Sequence, residues 1–314
     1  MYNKYTPNHN GMRPLYKWLI YIGIFIILFI IGVIIWFHFE LSKLEDEAKP
    51  LDEPALMNKD NLKNNESILL IGTDKPSDNN KTHVRTDSMI IATYNKDSNS
   101  VKLLRLPRDI YVNEQGYTGK LNGLYQQQGI EGLVKYINHT FNIPISEYAM
   151  VDFEGLENVV DSIGGIDINS DITIDNSNNK NLDHNIQVHK GMNHLDGKEA
   201  LGYSRIRYID NDIKRGDRQV QVIKAIGDKI LSPKALPKLP SIIGTMNNYV
   251  KTSMSASKIE TNVKNLSSEP KMENLTFDWQ TFDSDGSSYV SIDQPEVDRL
   301  SEIMRSQLNI QNSN

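Results

Sequence analysis

Two aspartates and a set of arginines stand out in this chain because their positions suit an anionic ligand. Asp74 closes the apolar run Ser67–Gly72 (SILLIG), within Gly72-Thr73-Asp74. Asp87 opens the next run, within Arg85-Thr86-Asp87-Ser88. Two carboxylates brought together at strand ends repel each other unless a cation lies between them. With oxygen-only ligands that cation is Mg²⁺, with Mn²⁺ as the alternative. A turn or helix cap is the competing role for either aspartate, since Asp is common at turns. Arg108 follows in Leu106-Pro107-Arg108-Asp109. The segment 203–219 (YSRIRYIDNDIKRGDRQ) adds more cations. Arg205 and Arg207 share a face if their segment is extended. Arg215, Arg218 and Gln219, spaced i, i+3, i+4, share a face of a helix. Guanidinium forks match phosphate oxygens two at a time. The arginines alternate with Ile206, Ile209 and Ile213, which would pin them to a core rather than leave them on a solvated face. Arginines together with a two-carboxylate metal site fit a pyrophosphate: the metal neutralises some oxygens and the guanidinium groups the rest.

The elements that would position these groups follow from patterning. Ser67–Gly72, Ser88–Tyr94 and Ser100–Leu106 read as strands, the last two joined by a hairpin turn over 95–99. Gly129–Phe141, Phe153–Ile163 and Asp217–Leu231 read as helices; Val220, Ile223, Ile226 and Ile230 recur at helical spacing. Tyr148–Asp152 and Ile166–Asn169 read as a strand pair around the second helix, with Gly164-Gly165 as a turn. Residues 170–190 read as a polar loop, Asn274–Phe282 and Ser288–Ile292 as late strands, and Glu296–Leu308 as a closing helix. Strands alternating with helices predict an α/β domain over 66–310 with a central mixed β-sheet flanked by helices.

Ahead of it, Trp18 to Phe37 carries no charge. A helix of that length spans roughly 30 Å, the hydrocarbon thickness of a bilayer. Lys4, Arg13 and Lys17 precede the run, and Glu40, Glu45, Asp46 and Glu47 follow it. The positive-inside rule predicts a cytoplasmic tail at 1–17, a transmembrane helix at 18–39, a juxtamembrane linker at 40–65 and an extracytoplasmic domain. A cleaved signal peptide is the competing reading; the run is long for one, and no small-residue cleavage site follows. The net charge of −6 argues against a general nucleic-acid binder. Cysteine is absent, which excludes disulfides and thiolate chemistry. The seven histidines show no zinc spacing. Asp283-Ser284-Asp285-Gly286 begins like a calcium loop, but Thr281 and Ile292 stand where an EF-hand needs acids. Asn138-His139-Thr140 and Asn274-Leu275-Thr276 fit a glycosylation pattern, for which nothing else speaks.

The ordered set SILLIGTD, RTDSMIIATYN, VKLLRLPRDIYV, GKLN, VDSIGGIDI, HLDGKEALGYSRIR and the arginines of RGDRQ resembles the LytR-CpsA-Psr family of bacterial cell-wall glycopolymer ligases. The resemblance covers roughly residues 67–231; each piece alone is weak, and the ordered set is specific. It implies transfer of an anionic glycopolymer, such as wall teichoic acid, from a polyprenyl-pyrophosphate carrier to the 6-hydroxyl of muramic acid in peptidoglycan. Carried over by matching position, Asp74 and Asp87 would be the Mg²⁺-associated acids. Arg85, Arg108, Lys120, Arg205, Arg207, Arg215 and Gln219 would contact the pyrophosphate. Asp212 would be the base or acceptor-orienting acid. The stretch between Arg207 and Asp212 is about two residues shorter than the family's loop, so Asp210 or Asp217 could serve instead. A pyrophosphate hydrolase and a non-catalytic membrane-anchored regulator are the rival readings. The carrier lipid needs an apolar slot, which the helices at 129–141, 153–163 and 220–230 could line or could simply bury as core.

Overall fold

The computed structural model describes residues 62, 65–74, 85–114, 116–175, 186–206, 212–230, 232, 242, 244–245, 249–254, 258 and 270–310. The expected membrane segment at 18–39 and its tail lie outside the described residues, as does nearly all of the linker. Among the described residues no helix is long and apolar enough to cross a membrane.

Three antiparallel or parallel pairings organise the centre. Strand β1 (Glu66–Thr73) runs antiparallel to β2 (Thr86–Asn95), and β2 antiparallel to β3 (Ser100–Leu106). β1 also pairs in parallel with β6 (Glu147–Asp152). β11 (Val250–Thr252) and β12 (Lys271–Leu275) complete a six-stranded mixed sheet, order β11-β6-β1-β2-β3-β12. β1 alternates buried and half-buried residues along its length, the signature of a strand whose two faces are covered unequally. On one face Leu69, Ile71, Met89, Ile91 and Leu104 pack against helix α1 (Leu121–Phe141) and helix α5 (Gln294–Gln307). On the other, Ile90 and Leu103 meet Val220 of helix α4 (Asp212–Ile230). A further cluster joins helices α2 (Phe153–Ser162), α3 (Gly197–Arg205) and α4 with strands β7 (Ile166–Ser170) and β10 (Gly191–Leu195).

Several expectations change. α1 starts at Leu121 and breaks at Gly129, whose φ of 70° and ψ of −167° suit a residue without Cβ. The expected helix from Gly129 is its second part, and Leu133, Val134, Ile137 and Phe141 are buried core. β7 does not pair with β6; it forms a separate ribbon with β10. The expected loop at 170–190 contains two short paired strands, β8 (Ile174–Asp175) and β9 (Gln187–Val188). α4 begins at Asp212 rather than Asp217. The late strand expected over 274–282 is divided. Its first part belongs to β12, and its last part opens a hairpin of β13 (Gln280–Ser284) and β14 (Ser287–Ser291). Asp285 and Gly286, with φ of 49° and 72°, are that hairpin's two-residue turn. A second hairpin, β4 (Tyr111–Glu114) with β5 (Tyr117–Lys120), was not foreseen. Asn138 is buried and accepts a hydrogen bond from the Ile145 N–H at 2.9 Å, which makes it a core residue and no glycan acceptor.

Candidate anion-binding site

One end of the sheet gathers the chemistry. β1, β3 and the parallel β6 all finish there, and β2 begins there. The Asp74 N–H donates to the Arg85 carbonyl at 3.1 Å, so these two strand ends remain paired. Gly72 faces Ser88 and Thr73 faces Thr86, which leaves Asp87 as the extra residue of a bulge. A bulge turns a side chain out of the strand's regular alternation. Asp87 Oδ1 accepts from Arg108 Nη1 at 2.8 Å. Asp109 binds Lys120 Nζ at 2.8 Å and lies 3.5 Å from Arg108 Nε. Lys120 is held in place by its neighbours: the Leu121 N–H donates to the Ile110 carbonyl and the Asn122 N–H to the Arg108 carbonyl. Gln219 Oε1 accepts from Ser88 Oγ at 3.1 Å, tying α4 to the start of β2.

A cleft of about 390 Å³ opens beside this network. Its wall carries four cations, Arg105, Arg108, Lys120 and Arg215, against one carboxylate, Asp109. Its other wall is the β13–β14 hairpin and Trp279. At an effective dielectric near 20, each cation about 4 Å from an anion is worth about 4 kcal/mol before desolvation. Arg108 and Lys120 are already paired with Asp87 and Asp109, so an anion in the cleft would share these two cations with those carboxylates.

The remaining predicted residues divide as follows. Arg205 ends helix α3, so it does not share an extended face with Arg207; the capping box of Asp196 and Glu199 drives helix formation through this segment. Its guanidinium carbon sits 4.5 Å from the Phe153 ring centroid, directly after the end of β6. That places Arg205 at the same end of the sheet as Asp74 and Arg85. Arg207 and Asp210 lie outside the described residues. Asp212 opens α4, and its side chain also lies outside them. Asp217 is half-exposed and lies 3.9 Å from Lys214. Arg218 turns away from its helix-face neighbour Arg215: it is buried and donates to the Tyr203 carbonyl at 3.1 Å and the Ile206 carbonyl at 2.6 Å. It therefore caps the C-terminal end of α3. Arg105 was missed in the sequence because it sits mid-strand among leucines. Its side chain lies across the backbone of Gly216, where a Cβ would meet Arg105 Nη1 at 2.4 Å.

For a divalent cation, Asp74 and Asp87 supply hard oxygen donors at adjoining strand ends, a set that suits Mg²⁺ when phosphate oxygens and water complete the shell. Among the described residues no group of three or more His, Asp or Glu side chains gathers at one point.

The molecule is thus a mixed α/β sheet with a cation-walled cleft at its strand ends. The sequence profile described as the LytR_cpsA_psr family matches residues 36–306, and the chain belongs to that family. It is 32% identical over 298 residues to the polyisoprenyl-teichoic acid–peptidoglycan teichoic acid transferase TagU of Enterococcus faecalis, covering 91% of this chain and 95% of that one. It is 33% identical over 197 residues to the regulatory protein MsrR of Staphylococcus aureus, covering 62% and 58%. Among solved structures, TagT bound to LI-WTA superposes with a TM-score of 0.70 at 25% identity, over 83% of this chain and all of that one.

Proposed function

We propose that the protein transfers an anionic glycopolymer of the wall teichoic acid type from a polyprenyl-pyrophosphate carrier to the muramic acid 6-hydroxyl of peptidoglycan. The observation that carries this reading is the cleft with Arg105, Arg108, Lys120 and Arg215 on one wall, beside the strand ends that bear Asp74 and Asp87. Relatives named as teichoic acid transferases support it.

In this reading the cations hold the diphosphate, with Arg85, Arg205, Arg207 and Gln219 completing the set. Asp74 and Asp87 would hold Mg²⁺, which supplies neutralisation of phosphate charge. The muramic acid hydroxyl oxygen attacks the phosphorus nearer the polymer. Its proton passes to a carboxylate, Asp212 or its alternatives Asp210 and Asp217. The bond to the bridging oxygen breaks, and polyprenyl phosphate leaves with that oxygen. Residues 18–39 would anchor the chain in the membrane that holds the carrier, with the N-terminus in the cytoplasm and the domain outside. No ATP is available there, and the donor is already activated.

The test is a reconstituted assay with full-length protein, lipid-linked glycopolymer, peptidoglycan fragments and Mg²⁺. Transfer should require the glycan acceptor and should fall by at least about a hundredfold in Arg108→Ala, which removes one charged contact of several kcal/mol. Equal carrier cleavage with and without acceptor would make the protein a hydrolase. Binding without turnover would favour the regulatory role suggested by the likeness to MsrR.

A further inference from the structure

The C-terminal hairpin has no part in the mechanism just described, yet it forms one wall of the cleft. Thr281, Ser288 and Tyr289 line that wall with Trp279. Phe282 and Tyr289 are direct cross-strand partners, their rings stacked at 5.5 Å. Tyr111 of β4 meets both edge-on, at 5.6 and 5.2 Å. Phe282 remains 38% exposed, one of two large apolar side chains so exposed among the described residues. Lys120 links this cluster to the charged wall: its Nζ is 2.8 Å from Asp109 and 5.7 Å from the centre of the Tyr289 ring. The hairpin is held against the charged wall because the Val290 N–H donates to the Asp109 carbonyl.

The cleft therefore changes character along its length. One end is cationic. The other offers the rings of Trp279 and Tyr289 and the hydroxyls of Thr281 and Ser288, and Tyr289 in turn stacks on the exposed Phe282 ring. A diphosphate has no use for the second end. A pyranose ring does: its axial C–H groups, which carry slight positive charge, lie against the electron-rich face of an aromatic ring. Lys120 stands beside the Tyr289 ring, Tyr289 stacks on Phe282, and Phe282 is exposed, as suits a glycan strand that lies across the rings and presents one hydroxyl to the diphosphate.

We infer that Phe282, Tyr289 and Tyr111 form the acceptor subsite, a platform that seats a pyranose ring of a peptidoglycan glycan strand beside the diphosphate. The inference rests on the transfer reading above and names where its acceptor lies.

The test uses full-length protein in lipid nanodiscs, with an N-acetylglucosamine tetramer as the neutral strand and polyprenyl pyrophosphate, with and without an attached sugar, as the donor probe. Calorimetry and ligand-observed NMR measure binding of each. Wild type should bind the tetramer, and Phe282→Ala should weaken it about tenfold, equivalent to about 1.4 kcal/mol. Phe282→Tyr should restore binding and Phe282→Leu should not, because bulk without a ring lacks the electron-rich face. Polyprenyl pyrophosphate should bind all of these variants as it binds wild type. Wild type that binds polyprenyl pyrophosphate but not the tetramer would overturn the platform and leave the transferase reading standing. Failure to bind either probe would sink both. A Phe282→Ala protein that keeps the tetramer but loses preference for the sugar-bearing donor would also overturn the assignment, since the ring seated there would then belong to the donor.

Discussion

Arg218 offers a sharp separation between holding the site and being the site. By spacing it belongs with Arg215 on a ligand-facing helix side, yet its guanidinium is spent on the carbonyls of Tyr203 and Ile206. Replacing it with Met keeps much of the aliphatic stem and removes both hydrogen bonds. Each buried carbonyl left unmet costs about 1–3 kcal/mol. Loss of a cation at the C-terminus of α3 adds a few tenths more, about 0.3 kcal/mol or above. About 3 kcal/mol is a fair total, and a domain of this size loses about 2–4 °C per kcal/mol, so melting should fall by about 6–12 °C. Arg205→Ala is the companion variant. Arg205 is exposed, and its contact over Phe153 is worth about 0.5–1 kcal/mol, so melting should fall by only a few degrees while transfer is lost. Circular dichroism melts of the full chain in detergent, with donor binding measured in parallel, compare the two. Arg218→Met that melts within about one degree of wild type while losing donor affinity would refute the cap and return Arg218 to the ligand face.

Gly216→Ala should push Arg105 off the cleft wall, because the new Cβ would stand 2.4–2.5 Å from three atoms of that side chain. Alanine gains about 1 kcal/mol of helix propensity over glycine, so melting should hold or rise while pyrophosphate affinity drops, which calorimetry would detect. Asn138→Ala leaves the Ile145 N–H without its acceptor and should cost about 1–3 kcal/mol, read from denaturant melts. A hydrogen bond from His194 and, secondarily, the charge of Lys229 hold the Asp167 carboxyl below its ordinary value. A depressed carboxyl stabilises the fold above its unfolded pKa, and that gain is lost as pH falls through the folded value. Asp167→Asn should therefore melt slightly lower than wild type near about pH 6, by under about 1 kcal/mol because the pair is exposed, and converge with it near about pH 2. A deficit that persists in acid would point to a change of shape instead.

The first three strands were legible because each is a short, mainly apolar run between polar stretches, and the Asn95–Asn99 turn follows from Asn95, whose Oδ1 accepts from the Ser98 N–H. The order of the sheet was not. The pairing of β1 with β6 joins segments separated by two hairpins and a long helix, and no local pattern records it. Helix α3 was overlooked even though Asp196-Gly197-Lys198-Glu199 spells a capping box; the alternation of Arg205, Ile206 and Arg207 suggested an extended segment. Asp87 could be named as a site residue, but its placement in a bulge depends on the register with Thr73. Arg105 was invisible for the opposite reason. A basic residue inside a strand reads as an outward-facing group, and only the passage of α4 over β3 at Gly216 makes it a wall of the cleft. The Asp285-Gly286 turn was visible as a pair of residues, while the hairpin it closes was hidden among polar strands.

The start of β1 and the end of α5 meet at the end of the sheet remote from the cleft. Asn65 donates to the Leu308 carbonyl, and Asn95 to that of Gln307, where β1 begins rather than where it finishes. Eight residues of strand at about 3.3 Å each separate that knot from the charged pocket, roughly 25 Å. On the proposed anchor, the membrane segment would thus connect to the domain at its far pole, where β1 begins. An upright domain would hold its pocket well above the headgroups, out of reach of a diphosphate seated at the bilayer surface. Work on a lipid carrier would then demand that the domain tilt toward the bilayer, and the length of the span 40–65 would limit that tilt. Shortening that span should throttle turnover on lipid-borne donors while sparing a water-soluble analogue.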